Sequence, residues 1–398
     1  MPPRSYRWLI ATLLFASTTI NYIDRQTLSV LAPYLQAEFS WSNTDFAILV
    51  IAFRAAYSIF QLISGPLLDR LGSRRGLSLA VLWYSVAAFA TSLAAGLKSF
   101  AAMRFWLGSG EAANWPGAAK VVAEWFPESE RGLAVAIYDS GSAIGGAIAP
   151  VLVISLYKIF GTWRPAFLIT GSLGLCWLLV WRIVYKSPPA FAAVKRAAPR
   201  VSWLALLRIR ETWGVVLGKG LTDPIWFFIT DWFAIFLASR GFRIENTLAG
   251  FWIPFLSADL GNFAGGGLSS YCVRRGWPVI RARKLVIVLG GIGMTLLIPV
   301  IWISNFAAII ALFSLSTFSY AAWSTMGLTL PADLYPSDVV ASVSGMSGAA
   351  AGIGTIISTF LIGGITDRYS FQPVLLGASI VPVIATLLVL VLVRKKVE

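Results

Sequence analysis

The chain has 398 residues, 57% of them hydrophobic and only 13% charged, with a mean hydropathy of +0.75. Soluble globular chains carry about 25% charged residues, so this one lacks the polar surface to cover itself in water and reads as a membrane protein. Its net charge of +14 would point to nucleic acid in a soluble chain, but the cations cluster in short loops between apolar runs, which excludes that partner.

At roughly 30–35 residues per spanning helix plus loop, the length accommodates about twelve helices. Apolar segments fall at 8–35, 43–68, 77–97, 99–122, 132–157 and 164–185, then at 211–238, 247–272, 284–303, 306–327, 340–366 and 372–393. The first follows Arg4 and Arg7, as a secretory signal would. No small-residue cleavage site comes after it, and the run continues through Asn21-Tyr22-Ile23-Asp24-Arg25, so it is expected to stay as the first spanning helix. The expected fold is an all-α membrane protein with an amino-terminal six-helix half over 1–185, a basic, proline-containing cytoplasmic linker over 186–210, and a carboxy-terminal six-helix half over 211–398.

With the amino terminus inside, 21 Lys and Arg fall on inner loops and termini, six on outer loops and five within helices. Basic residues accumulate on the cytoplasmic side, so both termini are expected in the cytoplasm of an inner (plasma) membrane. The 17 Trp and 25 Phe suit aromatic belts at the two interfaces. Cys176 and Cys272 lie in or beside apolar stretches, with neither metal nor disulfide spacing. His is absent, so proton chemistry has to use carboxylates, or else Lys or Tyr.

The two halves carry an internal repeat. Gly65-Pro-Leu67-Leu-Asp69-Arg70-Leu-Gly72-Ser-Arg74-Arg75-Gly76 follows the second segment, and Gly266-Gly-Leu268-Ser-Ser270-Tyr-Cys-Val-Arg274-Arg275-Gly276 follows the eighth, with Ser270 where Asp69 would fall. Repeated halves joined by a linker suggest a transporter with its site where the halves meet. Asp69 is expected to latch onto Arg131 or onto a helix N-terminus, where the dipole favours an anion. Gly65, Arg70 and Arg74 belong to the same latch.

A charge at mid-bilayer costs about 2.5–3.5 kcal/mol and has to face protein or a watery cavity. Such charges are Asp24 and Arg25 on the first segment, Arg54 on the second, Arg104, Glu111 and Lys120 on the fourth, Asp139 on the fifth, Lys219, Asp223 and Asp231 on the seventh and Asp259 on the eighth. The third, sixth, ninth and twelfth segments have none in their central spans, which suits them to lipid. Helical spacing aligns Arg54, Tyr57 and Gln61, sets Tyr22 beside Arg25, and puts Arg104 and Glu111 on one face. Ser142, Trp226, Trp323 and Ser347 are further ligand candidates. Asp24 beside Arg25, and Arg104 near Glu111, also read as structural ion pairs, as does Lys219–Asp223 at i, i+4. Gly141, Gly145, Gly146 and Pro150 read as close-packing and bending residues.

The Gly65–Gly76 stretch resembles the loop signature of the major facilitator superfamily. Asn21-Tyr-Ile-Asp24-Arg25 and Trp41-Ser-Asn-Thr-Asp45 resemble its anion:cation symporter family. Arg104-Phe-Trp-Leu-Gly108-Ser-Gly-Glu111-Ala-Ala-Asn114, Val122-Ala-Glu-Trp-Phe-Pro127 and Gly218-Lys-Gly-Leu-Thr-Asp-Pro-Ile-Trp226 resemble its bacterial hexuronate transporters most. The resemblance implies a proton-driven importer of sugar-acid anions. Asp24 and Glu111 would couple protons, while Arg25, Arg104, Tyr22 and Tyr57 would handle the anion. It implies no cofactor beyond protons as the coupling ion and no metal. The implied partners are a small organic anion and the lipid bilayer, and the chain is expected to act as a monomer. Four positions depart from the pattern: Arg54 for an expected Gln, Asp139 for Asn, Asp231 for an apolar residue and Ile235 for Lys. They leave open another organic anion (an aldarate, aldonate or aromatic carboxylate), and a sodium-coupled carrier would use the same fold. Paired arginines disfavour a drug exporter. An enzyme would need a nucleophile–base pair or metal cluster, and a sensor a signalling domain; the sequence offers neither.

Overall fold

A computed structural model of the protein describes residues 4–41, 43–186, 203–242 and 248–394. These residues form helices α1 (Arg4–Phe39), α2 (Asn43–Leu71), α3 (Ser73–Thr91), α4 (Leu97–Glu111), α5 (Asn114–Trp125), α6 (Glu128–Phe160) and α7 (Arg164–Val184), then a single turn α8 (Trp203–Leu206). There follow α9 (Arg210–Ser239), α10 (Leu248–Arg274), α11 (Val279–Met294), α12 (Phe306–Leu334), α13 (Val340–Arg368) and α14 (Gln372–Leu392). With α4 and α5 as one interrupted span and α8 set apart, these are the twelve expected spans. Among the described residues, seven helical segments are long and apolar enough to cross a membrane by length and composition. The remaining spans are interrupted or carry charges, as α1 does at Asp24 and Arg25 and α9 at Lys219 and Asp223. Most of the linker expected over 186–210, namely 187–202, lies outside the described residues.

Boundaries differ from the hydropathy reading for local reasons. Helix α3 begins at Ser73, several residues before the apolar run, because Gly72 turns the chain with φ 79° and the basic residues form the first helical turn. Gly276, with φ 89°, makes the corresponding turn before α11; glycine adopts such a backbone without a Cβ clash. The fourth span is broken at Ala112–Ala113. Pro116 has no N–H to give the Ala112 carbonyl, so α4 does not run on into α5. That carbonyl instead lies 3.4 Å from the Ser64 hydroxyl, which donates to it. Helix α12 starts at Asn305, whose side chain accepts from Ala308 N–H at 3.0 Å.

The chain forms two compact units. The first comprises residues 1–125, 137–200 and 337–345, the second 126–136, 201–336 and 346–398. Each unit thus includes the first turns of a helix whose remainder belongs to the other, α13 in the first unit and α6 in the second. One core cluster of the first unit gathers Leu28, Leu31 and Leu35 of α1 with Phe100, Trp163 and Phe167, closed by Trp163 donating to Glu38 at 2.8 Å. In the second unit Phe233 and Phe236 pack on Phe313 with ring centroids 4.5 and 5.4 Å apart. Exposed apolar side chains run along α3 at Leu79, Leu82 and Val86, and along α14 at Ile380, Ile384, Leu387 and Val391. Their spacing of three and four residues makes a single helical face suited to lipid.

Candidate functional site

In the first unit, α1, α2 and α4 bring a charged cluster together. Helices α2 and α4 approach closely at Gly108, where a Cβ would lie 2.5 Å from the Phe53 carbonyl oxygen. Glu111 is the last residue of α4, at the break, and is fully buried. Its Oε2 accepts from Arg25 Nε at 2.6 Å. The Arg25 guanidinium also donates to Asn21 Oδ1 at 3.0 Å. Its carbon lies 4.9 Å from the Tyr22 ring centroid, 5.3 Å from Phe53 and 4.5 Å from Tyr57, so three ring faces hold it by cation–π attraction. Phe53 also packs at 4.7 Å from the Arg104 guanidinium, and so contacts both arginines. Asn114, just past the break, ties α5 to α1 through Ser17 at 3.0 Å and Thr18 at 3.2 Å.

Arg104 is 5% exposed, and its Nε and Nη1 have no hydrogen-bond partner among the described residues. Buried polar groups left in this state are rare and call for an explanation. Asp24 is 2% exposed; the Thr170 hydroxyl stands beside it, and its electrostatic neighbours are Glu111 and Arg104. Their juxtaposition gives a buried cluster in which a proton on an acid, or an anion near Arg104, changes the charge balance directly. The ion pairs expected from sequence are redistributed: Arg25 joins Glu111 rather than its chain neighbour Asp24.

Arg54 is half-buried on α2, and Gln61, two turns along, is 3% exposed with its Oε1 unpartnered among the described residues. Helix α6 brings Asp139 into electrostatic range of Tyr22, and the Ser142 hydroxyl donates to the Asp139 carbonyl at 2.7 Å. Gly141 and Gly145 let α6 lie on α1, where their Cβ atoms would meet the Phe15 carbonyl at 2.6 Å and Tyr22 Cβ at 2.8 Å. Gly146 has nothing within 4 Å, so close packing is not its role.

The second unit holds its own polar group. Lys219 donates to Asp223 Oδ2 at 2.6 Å, and the Tyr320 hydroxyl donates to Asp223 Oδ1 at 3.2 Å. Tyr320 in turn stacks on Trp226, centroids 5.9 Å apart, with Phe255 against the edge of the indole at 5.6 Å. Trp323 stands apart from this group. It is 1% exposed, donates to Thr386 Oγ1 at 3.0 Å and packs where Gly218 and Gly290 make room for it, as a core side chain does. Ser347 is buried on α13. The side chains of Asp231 and Ile235 lie outside the described residues.

Asp69 sits at the N-terminus of α13, one of the two latch partners expected from sequence. It accepts from Ser342 N–H at 2.8 Å and Ser342 Oγ at 2.6 Å, with Lys120 at 2.9 Å. Lys120 also donates to the Ser337 carbonyl. Gly65 allows the approach, since a Cβ there would lie 2.5 Å from the Ala341 oxygen. Arg74 caps α7 at the Arg182 carbonyl, 2.7 Å away, and Arg70 is exposed. Arg131 belongs to a different cluster, in the second unit: Asp333 accepts from Arg131 at 3.0 Å and from Arg283 at 2.7 Å. Asp333 and Arg283 were not singled out by sequence reasoning. A signal was available, because Ala123-Glu124-Trp125-Phe126-Pro127 and Ala332-Asp333-Leu334-Tyr335-Pro336 end the fourth span of each half with the same acid–aromatic–proline pattern. Among the described residues no cluster of His, Cys, Asp and Glu could hold a metal.

Among the described residues, a bundle of long helices, seven of them apolar enough to cross a membrane, with buried ion-paired acids and arginines, has the build of a multi-pass membrane transporter. The Major Facilitator Superfamily profile matches residues 14–282, and the chain belongs to that family. It is 30% identical to the hexuronate transporter of Escherichia coli K12, over 99% of this chain and 95% of that protein. It is 32% identical to the galacturonate transporter of Dickeya chrysanthemi, over 73% of this chain and 90% of that one. A solved structure of the Escherichia coli fucose:proton symporter FucP shares the fold with a TM-score of 0.76, at 17% identity and over 98% of both chains.

Proposed function

We propose that the protein is a proton-coupled symporter that imports sugar-acid anions, hexuronates first among them, across the inner membrane by alternating access. It would do so as a monomer with both termini in the cytoplasm. The observation that carries this reading is the Arg25–Glu111 ion pair beside Arg104 and Asp24. An arriving carboxylate competes with Glu111 for Arg25, so a proton on Glu111 and an anion on Arg25 favour each other. Linkage makes that preference reciprocal. Asp24, close to Glu111 and Arg104, would take the second proton, and the rings of Tyr22 and Tyr57 would wall the anion site. The relatives named above are hexuronate and galacturonate transporters, and a uronate carries one carboxylate, which Arg104 would grip while its charge draws Arg25 from Glu111.

The test is uptake into proteoliposomes of a panel of labelled uronates, aldonates, aldarates and aromatic carboxylates under an imposed pH gradient, with sodium replaced by choline at fixed pH. Uronate accumulation that follows the pH gradient and ignores sodium is expected. Accumulation that follows sodium would replace the proton with a sodium ion.

Arg54 favours a second reading. It adds a third cation to the unit that holds Arg25 and Arg104, where the acids are Asp24, Glu111 and Asp139. A third cation within reach of the substrate would suit a dianion such as an aldarate. Arg54→Gln is then expected to reduce aldarate uptake several-fold more than uronate uptake. Equal losses for both would leave Arg54 a structural ion and keep the simple hexuronates first.

A further inference from the structure

The second unit contains a cavity of about 550 Å3 that the transport reading does not use, lined by Glu128, Trp277, Arg281, Lys284 and Arg394 among others. It lies where α11 begins and α14 ends, at one limit of two candidate membrane spans, Val279–Ile301 and Gln372–Leu392. That is headgroup depth. Trp277, 48% exposed, is the residue type that settles at this level.

The charges of the lining are unbalanced, with three cations and one carboxylate. Lys284 is anchored by donating to the Leu390 carbonyl at 2.9 Å, and Arg394 is close enough to repel it electrostatically. Arg281 and Arg394 are exposed, so both can meet a ligand from outside. The first turn of α11 adds N–H groups with no acidic residue and no side-chain cap from Pro278, and such a terminus favours an anion. The sequence continues past Arg394 with Lys395 and Lys396. Like charges held together around an open cavity lower their mutual repulsion when an anion enters.

We propose that this cavity is a phosphate-recognising site, occupied in the membrane by the phosphodiester of an anionic lipid headgroup. Basic pockets at helix ends select such headgroups, with about 1 kcal/mol, or roughly fivefold in affinity, for each Lys or Arg. Arg281 and Arg394 would grip the phosphate oxygens, Lys284 would add charge from behind, and Trp277 would pack on the glycerol region.

The experiment follows the thermal unfolding midpoint of the full-length protein in detergent. Phosphatidylglycerol, phosphatidylcholine or inorganic phosphate is titrated in, and monodisperse elution serves as the folding control. Phosphatidylglycerol is expected to raise the midpoint and phosphatidylcholine to have little effect. In Arg281→Gln/Arg394→Gln the half-effective phosphatidylglycerol content should rise more than about tenfold, as two lost cations require. Glu128→Gln removes the lone carboxylate and should lower it. Stabilisation by inorganic phosphate alone, lost in the double variant, would keep the phosphate site and make a free anion its occupant. No stabilisation by either, an equal response in the double variant, or weaker binding in Glu128→Gln would each overturn the assignment.

Discussion

Glu111→Gln is expected to abolish accumulation driven by a pH gradient, so that the internal-to-external substrate ratio falls to about one, while exchange of substrate between two equal pools persists. The amide has nearly the shape of the protonated acid, but it neither gains nor loses a proton. Glu111 is the acid that holds Arg25, at 2.6 Å. An uncharged partner leaves Arg25 open to an anion at every stage of the cycle, so binding survives and coupling does not. Counterflow and gradient-driven uptake in the same proteoliposomes separate the two effects. Accumulation at wild-type levels would remove Glu111 from the proton path.

Arg104→Lys is expected to raise the half-saturation concentration by roughly 10- to 150-fold with the charge unchanged. The guanidinium is buried, and two of its nitrogens have no partner among the described residues. A planar fork can grip a carboxylate through two parallel N–H bonds, which an ammonium cannot reproduce. Loss of one hydrogen bond to a charged group costs about 1.5–3 kcal/mol, which converts to that range of affinity. A concentration dependence of uptake equal to that of the wild type would make Arg104 a structural residue.

Hydropathy made the twelve spans legible because bilayer thickness fixes how long an apolar run has to be. It also exposed the charged residues, since each is costly in such a run. Their pairing was less legible. Asp24 and Arg25 are adjacent in the chain, but successive side chains of a helix point about 100° apart, and Arg25 meets Glu111, 86 residues further on. Arg104 and Glu111 do share a face, yet seven residues place them about 10 Å apart along the axis, too far for a direct pair. Cross-helix partners of this kind depend on packing, and local spacing carries no record of it. The Arg131–Asp333–Arg283 cluster escaped for a related reason. Asp333 lies beyond the tenth apolar run, and Arg283 reads as one more loop cation until packing brings the two to 2.7 Å.

The short stretches that each unit takes from the other half of the sequence, 337–345 in the first and 126–136 in the second, have a genetic consequence. A polypeptide severed between Lys186 and Trp203 yields two fragments, and neither contains all of its own unit. The amino-terminal fragment lacks the N–H groups of Ala341 and Ser342 that receive Asp69, and the carboxy-terminal fragment lacks Arg131, which shares Asp333 with Arg283. The fragments are expected to be degraded when expressed singly and to accumulate when expressed together, each completing the other by complementation in trans. Immunoblots of membranes from single and paired expression read this out directly. The repeat that gave the protein two similar halves has thus left them mutually dependent.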